Sequence, residues 1–193
     1  MKNVRLHNDL LTIKEIVNMI PHCIKEKVEI KNDQIIHTDP QNLTLLLSFL
    51  KNHKLLQFKT LISITGVDYP EYKNRFEVNY FLLSYKINER IIVKTTVGVD
   101  SVLPSAINIF PSAGWYEREV WDTFGVFFSG HPDLRRILTD YGFEGFPFRK
   151  DFPQTGFVEV RYDDEKKHVV YEPLELTQDY RSYTLTSPWV SII

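Results

Sequence analysis

The 193-residue sequence predicts an α+β fold: a two-layer domain with a mainly antiparallel sheet and helices in the order αββαβββα, followed by a long extended C-terminal arm. Three observations carry this. The stretches FKTLISITGV (58–67), RFEVNYFLLSYK (75–86) and RIIVKTTVGV (90–99) are rich in β-branched and aromatic residues, as strands are. Segments on either side of them place apolar residues at helical spacing. From Gly125 onward lie five of the eight glycines and five of the ten prolines, too many for long regular elements. The expected division is an α+β domain over 1–125 and an arm over 126–193.

Taken in order, Leu10, Ile13, Ile16, Val17 and Ile20 recur at three- and four-residue spacing before Pro21, so 9–20 reads as an amphipathic helix. VEI and QIIH flank KND and predict a hairpin over 28–37. Asp39 is an N-cap candidate with Pro40 at the first helical position, and Leu43, Leu46, Leu47 and Leu50 form the buried stripe of a helix reaching about His53. The three strands follow. The short INE link makes the last two an antiparallel hairpin, while Pro70 holds YPEYKN as a loop. A further helical region is expected to begin near Pro104, break at Phe110–Pro111 and resume from Ser112 to Phe124, with Gly125 as its stop. Beyond it, one short helix is expected near 132–138.

Composition excludes several functions. Net charge is −2, so no excess of positive potential draws nucleic acid or anionic lipid. The single cysteine, Cys23, forbids an intrachain disulfide and cannot hold a zinc ion or an iron–sulfur cluster without several nearby histidines. No run approaches the ~20 apolar residues of a membrane-spanning helix. Asp9 and Glu15 beside a lone Arg5 in the first twenty residues fit neither a secretory signal nor an Arg-rich transit peptide, so import by an N-terminal signal is not expected.

The densest chemistry lies in GWYEREVWDTFGVFFSGHPDLRRILTDYGFEGFPFRKDF (114–152). Glu119 and Asp122 share a helix side and form a conceivable acid–base pair. Arg118 stands four residues before Asp122, however, and favours an ion-pair network. Glu117 points elsewhere on the helix. His131 and Asp133 lack further ligands at metal-binding spacing, and HPDL reads as a helix start. Arg135, Arg136, Arg149 and Lys150 interleave with aromatics in a pattern that suggests RNA, yet Asp133, Asp140, Glu144 and Asp151 cancel their field. No phosphate-binding glycine motif occurs. Thirteen of the 26 aromatics fall between Trp115 and Tyr162, the composition of a large interface; the alternative is an arm folded back over its own sheet.

The string EREVWDTFGVFFSGHPDLRRILTDYGFEGFPFRKDFP closely resembles the signature of the thirty-kilodalton subunit family of respiratory complex I, the proton-pumping NADH:ubiquinone oxidoreductase. The likeness continues through TGFVEVRYDDEKKHVVYEPLELTQDYRSYTLTSPW, and in the first 110 residues rests on element order and ITGVDYP. It implies a subunit without a cofactor of its own, FMN, iron–sulfur clusters and ubiquinone belonging to partner subunits. The partners implied are the large hydrogenase-like quinone-site subunit and other peripheral-arm subunits, with the membrane met only through the complex and no nucleic acid bound. Under the resemblance Glu117, Arg118, Glu119, Asp122, His131, Asp133, Arg135, Arg136, Asp140, Arg149, Lys150 and Asp151 are interface or structural groups, none of them catalytic. Phe146 stands where the family commonly has a histidine, and Thr123 where it has an apolar residue. The implied location is the matrix side of the mitochondrial inner membrane, the chain being organelle-encoded, or the cytoplasmic face of a bacterial plasma membrane. A scaffold subunit of a related membrane-bound hydrogenase or plastid complex is the alternative.

Overall fold

The computed structural model describes residues 20–30, 33–178, 180 and 181, in two compact units, one ending at Phe152 and the other beginning at Pro153. The helix expected over 9–20 lies outside the described residues.

In the first unit, β1 (Glu26–Ile30) and β2 (Asp33–Thr38) form the expected antiparallel hairpin. A short 3-10 turn at Pro40–Asn42 leads into helix α1 (Leu43–Asn52). The Asp39 carboxylate makes no cap and pairs instead with Lys25 at 2.5 Å. Strands β3 (Thr60–Asp68), β4 (Phe76–Ser84) and β5 (Glu89–Val97) then form an antiparallel meander. The sheet order is β1-β2-β5-β4-β3, with β2 and β5 parallel, so α1 carries the chain from one side of the sheet to the other edge. The sheet is therefore mainly antiparallel, with one parallel pair.

Period-two alternation sorts the strands cleanly. Phe76, Val78, Tyr80 and Leu82 of β4 are buried together with Ile91, Val93 and Val97 of β5, and the four leucines of the α1 stripe join the same core. Leu61 and Ile64 of β3 are three residues apart and would face opposite ways in a regular strand. A register shift between Leu61 and Ser63 accommodates Ile62 as an extra residue and lets both enter the core.

Two helix expectations fail. The region from Pro104 is not helical: Val102–Pro104 is a short strand, β6, paired in parallel with β7 (Phe127–Ser129), and a turn follows it. Only Ala113–Phe124 forms the long helix, α2, ended as expected by Gly125. Residues 132–138 are likewise not helical. Their polar backbone groups are claimed by side chains of α2, which leaves too few for a helical ladder.

The compact unit extends past the boundary expected at 125. Val126 and Phe128 are core residues, and Leu103 faces Phe128 across the β6–β7 pair. The chain from 130 to 152 is irregular. In the second unit β8 (Val158–Asp163) and β9 (His168–Pro173) form an antiparallel hairpin. No helix among the described residues is long and apolar enough to cross a membrane.

Candidate functional site: the α2 helix and its cap

Helix α2 owes its position to Gly66 of β3. A Cβ built there would lie 2.6 Å from the Phe124 ring, so the absence of a side chain lets the helix end settle directly on the strand. The carbonyls of its last turn, which a helix leaves unpaired, are all satisfied. Trp121 O accepts from Gly125 N (2.8 Å), Asp122 O from Arg136 Nη1 (3.3 Å), Thr123 O from Phe148 N (3.1 Å) and Phe124 O from Arg149 Nε (2.6 Å). Two arginines thus stand at the negative end of the helix dipole, where cations are favoured.

Asp122 organises this cap from within. Its Oδ1 accepts from Arg136 Nη1 (2.8 Å) and Thr139 Oγ1 (2.5 Å), and its Oδ2 from the N–H groups of Ile137 (3.0 Å), Leu138 (2.7 Å) and Thr139 (2.9 Å). Burial alone would raise its pKa. The hydrogen bonds from Thr139, Leu138 and Ile137 outweigh burial and hold the carboxyl far below the usual carboxylate range. A group so held stays ionised at neutral pH. Glu119, its supposed acid–base companion, is exposed, and the pairing of Arg118 with Asp122 does not form. Arg118 instead donates to the carbonyls of Arg135 (3.1 Å) and Arg136 (3.2 Å) and lies over the Trp115 ring.

The aromatics complete the cap. Arg136 and Arg149 both lie over the Phe146 ring, at 5.5 and 4.3 Å from its centroid, so this ring offers π faces to two cations. Burial, and then the charge of Arg75, lower the pKa of Arg149. A histidine at position 146 would meet the same two cations. Phenylalanine satisfies them without adding a positive charge of its own. Gly125 sits at φ +78, and a Cβ there would approach Arg149 Nη2 to 2.5 Å and the Phe146 ring to 2.7 Å. Gly125→Ala is expected to cost about 1–3 kcal/mol, from the left-handed backbone and the displaced arginine together, read as a lowered urea midpoint.

A second cluster forms where ITGVDYP ends. Asp68 accepts from Arg75 Nε (2.6 Å) and Nη2 (2.7 Å) and from the backbone N–H of Lys150 (2.8 Å). Arg75 Nη1 reaches on to Asp151 at 2.9 Å. The hydrogen bond from Arg75 is the main cause holding both carboxyls below their ordinary values. Lys150 extends over Tyr69. Asp68 and Arg75 were not among the sequence-derived candidates, although Asp68 stands within ITGVDYP; Arg75 carried no local signal.

Glu117 points the other way, fully buried, accepting from Ser105 Oγ (2.6 Å) and Ala106 N (2.7 Å). Burial raises its pKa, and the two hydrogen bonds and the nearby His131 only partly oppose this. Stability from this group is therefore full below about pH 4.5 and lost as pH rises through the folded-state value. Glu117→Gln should accordingly be tolerated better, relative to wild type, at pH 7 than at pH 4, a difference that paired urea titrations would read. His131 accepts from Asp133 N at Nδ1 (3.1 Å), which leaves Nε2–H to donate to Gly114 O (3.0 Å). The Asp133–Arg135 pair is exposed, and the Asp140 carboxylate accepts from Tyr141 N in its own loop.

The structure thus brings Asp122, Arg136 and Arg149 into one cap and Lys150 and Asp151 into the Asp68 cluster, and leaves Glu119, Asp133 and Arg135 on the surface. The model of the family described as "Respiratory-chain NADH dehydrogenase, 30 Kd subunit" matches residues 36–158, which include both clusters. The chain is 55% identical over 177 residues to NADH-ubiquinone oxidoreductase subunit 9 of Reclinomonas americana, covering 92% of this chain and 87% of that protein. It is 54% identical over 170 residues to an NADH-quinone oxidoreductase subunit of Dinoroseobacter shibae, covering 88% of this chain and 79% of that protein. Among solved structures, a chain of the membrane-bound sulfane sulfur reductase, an archaeal respiratory membrane complex, superimposes with a TM-score of 0.65 at 26% identity, covering 85% of this chain and all of that one. A matching family model over most of the chain and relatives at this identity establish that the protein belongs to the 30 Kd subunit family of respiratory-chain NADH dehydrogenase, complex I.

Proposed function

We propose that this chain is a structural and assembly subunit of the peripheral arm of proton-pumping NADH:ubiquinone oxidoreductase, without cofactor or turnover of its own, contacting the large quinone-site subunit. FMN, the iron–sulfur clusters and ubiquinone belong, in this reading, to partner subunits. Its place is the matrix side of the mitochondrial inner membrane, or the equivalent cytoplasmic face in a bacterium.

The observation that carries the reading is the engagement of the signature's ionisable groups by the fold itself. Asp122 is saturated by five donors, and Glu117 is sealed against Ser105 and Ala106. Engagement of this kind supports a structural role for both groups. Arg136→Glu tests it by placing a second carboxylate against buried Asp122. In cells that depend on the variant, the amount of assembled complex on native electrophoresis is expected to fall while NADH:quinone turnover per assembled complex stays near wild type. Normal assembly with collapsed turnover would assign the chain to the chemistry instead.

One observation favours a wider reading. The same fold occurs in a sulfane sulfur reductase, an archaeal respiratory membrane complex, which supports a scaffold role in more than one kind of membrane complex, a related membrane-bound hydrogenase or plastid complex being the alternative. The flavin and iron–sulfur content of the complex that co-purifies separates the two.

A further inference from the structure

We propose that the end of the sheet where α1, β3 and the β4–β5 turn meet is a docking surface for an acidic peptide segment of a partner protein. The surface lies outside both the signature string and the second unit, and it does not depend on the subunit reading above. Sequence places the charge. From Pro40 to Val67 there are three lysines and no Asp or Glu, and from Val78 to Asn88 there is Lys86 and again no acid. The fold brings the two stretches together. Ser84 Oγ donates to Leu56 O (2.5 Å) and Lys86 Nζ to Lys54 O (2.5 Å), while Thr60 at the start of β3 stands opposite Leu83 near the end of β4. Arg90 of β5 flanks the same Leu83 from the other side. Lys54, Lys59, Lys86 and Arg90 thus gather at one end of the sheet, and all four are exposed.

In the same unit Lys25, Arg75, Lys94, Arg135 and Arg136 pair with carboxylates, Arg118 and Arg149 meet carbonyls and rings, and Lys51 is turned to Ile109 O. Among the described residues no carboxylate pairs with Lys54, Lys59, Lys86 or Arg90, and Glu89 is the one acid in the β4–β5 turn beside them. Like charges held side by side repel, and carboxylates brought from outside relieve this. Leu55 and Tyr85 stand among the cations, 48% and 75% exposed, so the surface has apolar side chains within a basic rim. Charge and composition select the occupant. Nucleic acid favours several stacking rings and arginine forks, whereas Tyr85 is the single exposed ring among these cations and three of the four are lysines. Anionic lipid favours apolar side chains projecting together from one helix face, whereas Leu55 and Tyr85 come from two separate turns. A second copy would set one basic edge against another. A segment with carboxylates spaced between apolar residues matches both the rim and the side chains inside it.

The test uses the full chain and a fluorescent synthetic peptide in which glutamates alternate with leucine and tyrosine. Binding read by anisotropy is expected to weaken ~threefold or more in Lys54→Glu, and ~tenfold or more when Lys54, Lys59 and Lys86 are all changed to Gln, a set that removes charge without reversing it and should keep the wild-type urea midpoint. Lys73→Glu reverses an exposed lysine in the β3–β4 loop, at the opposite end of these strands, and should leave binding unchanged. Carbodiimide joins a lysine amine to a carboxylate already touching it. Applied to the native chain in gently lysed cells, it is expected to couple Lys54, Lys59 or Lys86 to an Asp- or Glu-bearing segment of another protein, located by mass spectrometry. Equal weakening by Lys73→Glu would overturn the proposal by reducing the effect to net charge, and so would wild-type binding by the Gln variant. Tighter binding of an RNA oligonucleotide, or of vesicles containing anionic lipid, than of the peptide would assign the surface to that class instead. Carbodiimide products that join these lysines only to this chain or to a second copy of it, or no product at all, would also overturn it.

Discussion

Asp122→Ala is expected to be the most damaging single substitution in the chain, costing about 3–5 kcal/mol. The carboxylate is fully buried and takes five hydrogen bonds, so its removal strands the Arg136 guanidinium and three backbone N–H groups at once. Those three N–H groups belong to the irregular segment that replaces the expected helix at 132–138. The loss therefore spreads from one side chain to the path of the whole loop and to the cap it forms on α2. Urea unfolding of the purified chain should show it, together with a fall in Tm of roughly 10 °C or more for a unit of this size. Asp122→Asn, which keeps one acceptor, should lose less. Because the folded-state pKa is depressed, the contribution of Asp122 is complete above about pH 4, the unfolded value, and disappears as pH falls below it toward the folded value. Stability of the Asn variant should consequently depend less on pH over that acid range. Equal acid sensitivity in wild type and variant would contradict the assignment.

Arg75→Met should rank second, at about 3 kcal/mol, because it leaves Asp68 buried without its cation. The Asp68 side chain is 1% exposed, and after the substitution only the Lys150 N–H would still serve it. Asp151, bonded to the same arginine, is 61% exposed, so Asp151→Asn should cost less than about 1 kcal/mol. The contrast is the check. Asp68→Asn combined with Arg75→Met should be less destabilising than the sum of the two single changes, since each single change strands the other partner. Additive losses in chemical denaturation would mean that the pair is not coupled. Lys150 and Asp151 stand just before the division between the two units, so loosening this cluster is also expected to reduce assembled complex without changing turnover in what does assemble.

Asp68 and Arg75 show where sequence reasoning stops. Asp68 lies within ITGVDYP, but nothing local marks it as the partner of Arg75 or of the Lys150 backbone, 82 residues away. Glu119 and Asp122 show the converse error. Helical spacing places them on one side, but three residues of spacing cannot tell that one is buried and the other exposed. The expected pairing of Arg118 with Asp122 failed for a similar reason: carbonyls of a distant loop offered Arg118 acceptors, and Arg136 reached Asp122 first. The helix expected over 132–138 was lost to the same competition, since Asp122 takes the N–H groups of 137–139.

Periodicity is a local property, and it was sufficient for the β1–β2 hairpin, the α1 leucine stripe, the β3–β4–β5 meander and the stop of α2 at Gly125. Composition was sufficient for an α+β fold, and the long string around the α2 helix for the family. Tertiary structure alone decided the parallel pairing of β2 with β5, the continuation of the first unit to Phe152 and the joining of Arg136, Arg149 and Phe146 over the end of α2. The physical reason is common to all three. A side chain or strand edge takes the nearest unsatisfied partner in space, and which partner is nearest depends on how every other element has already packed.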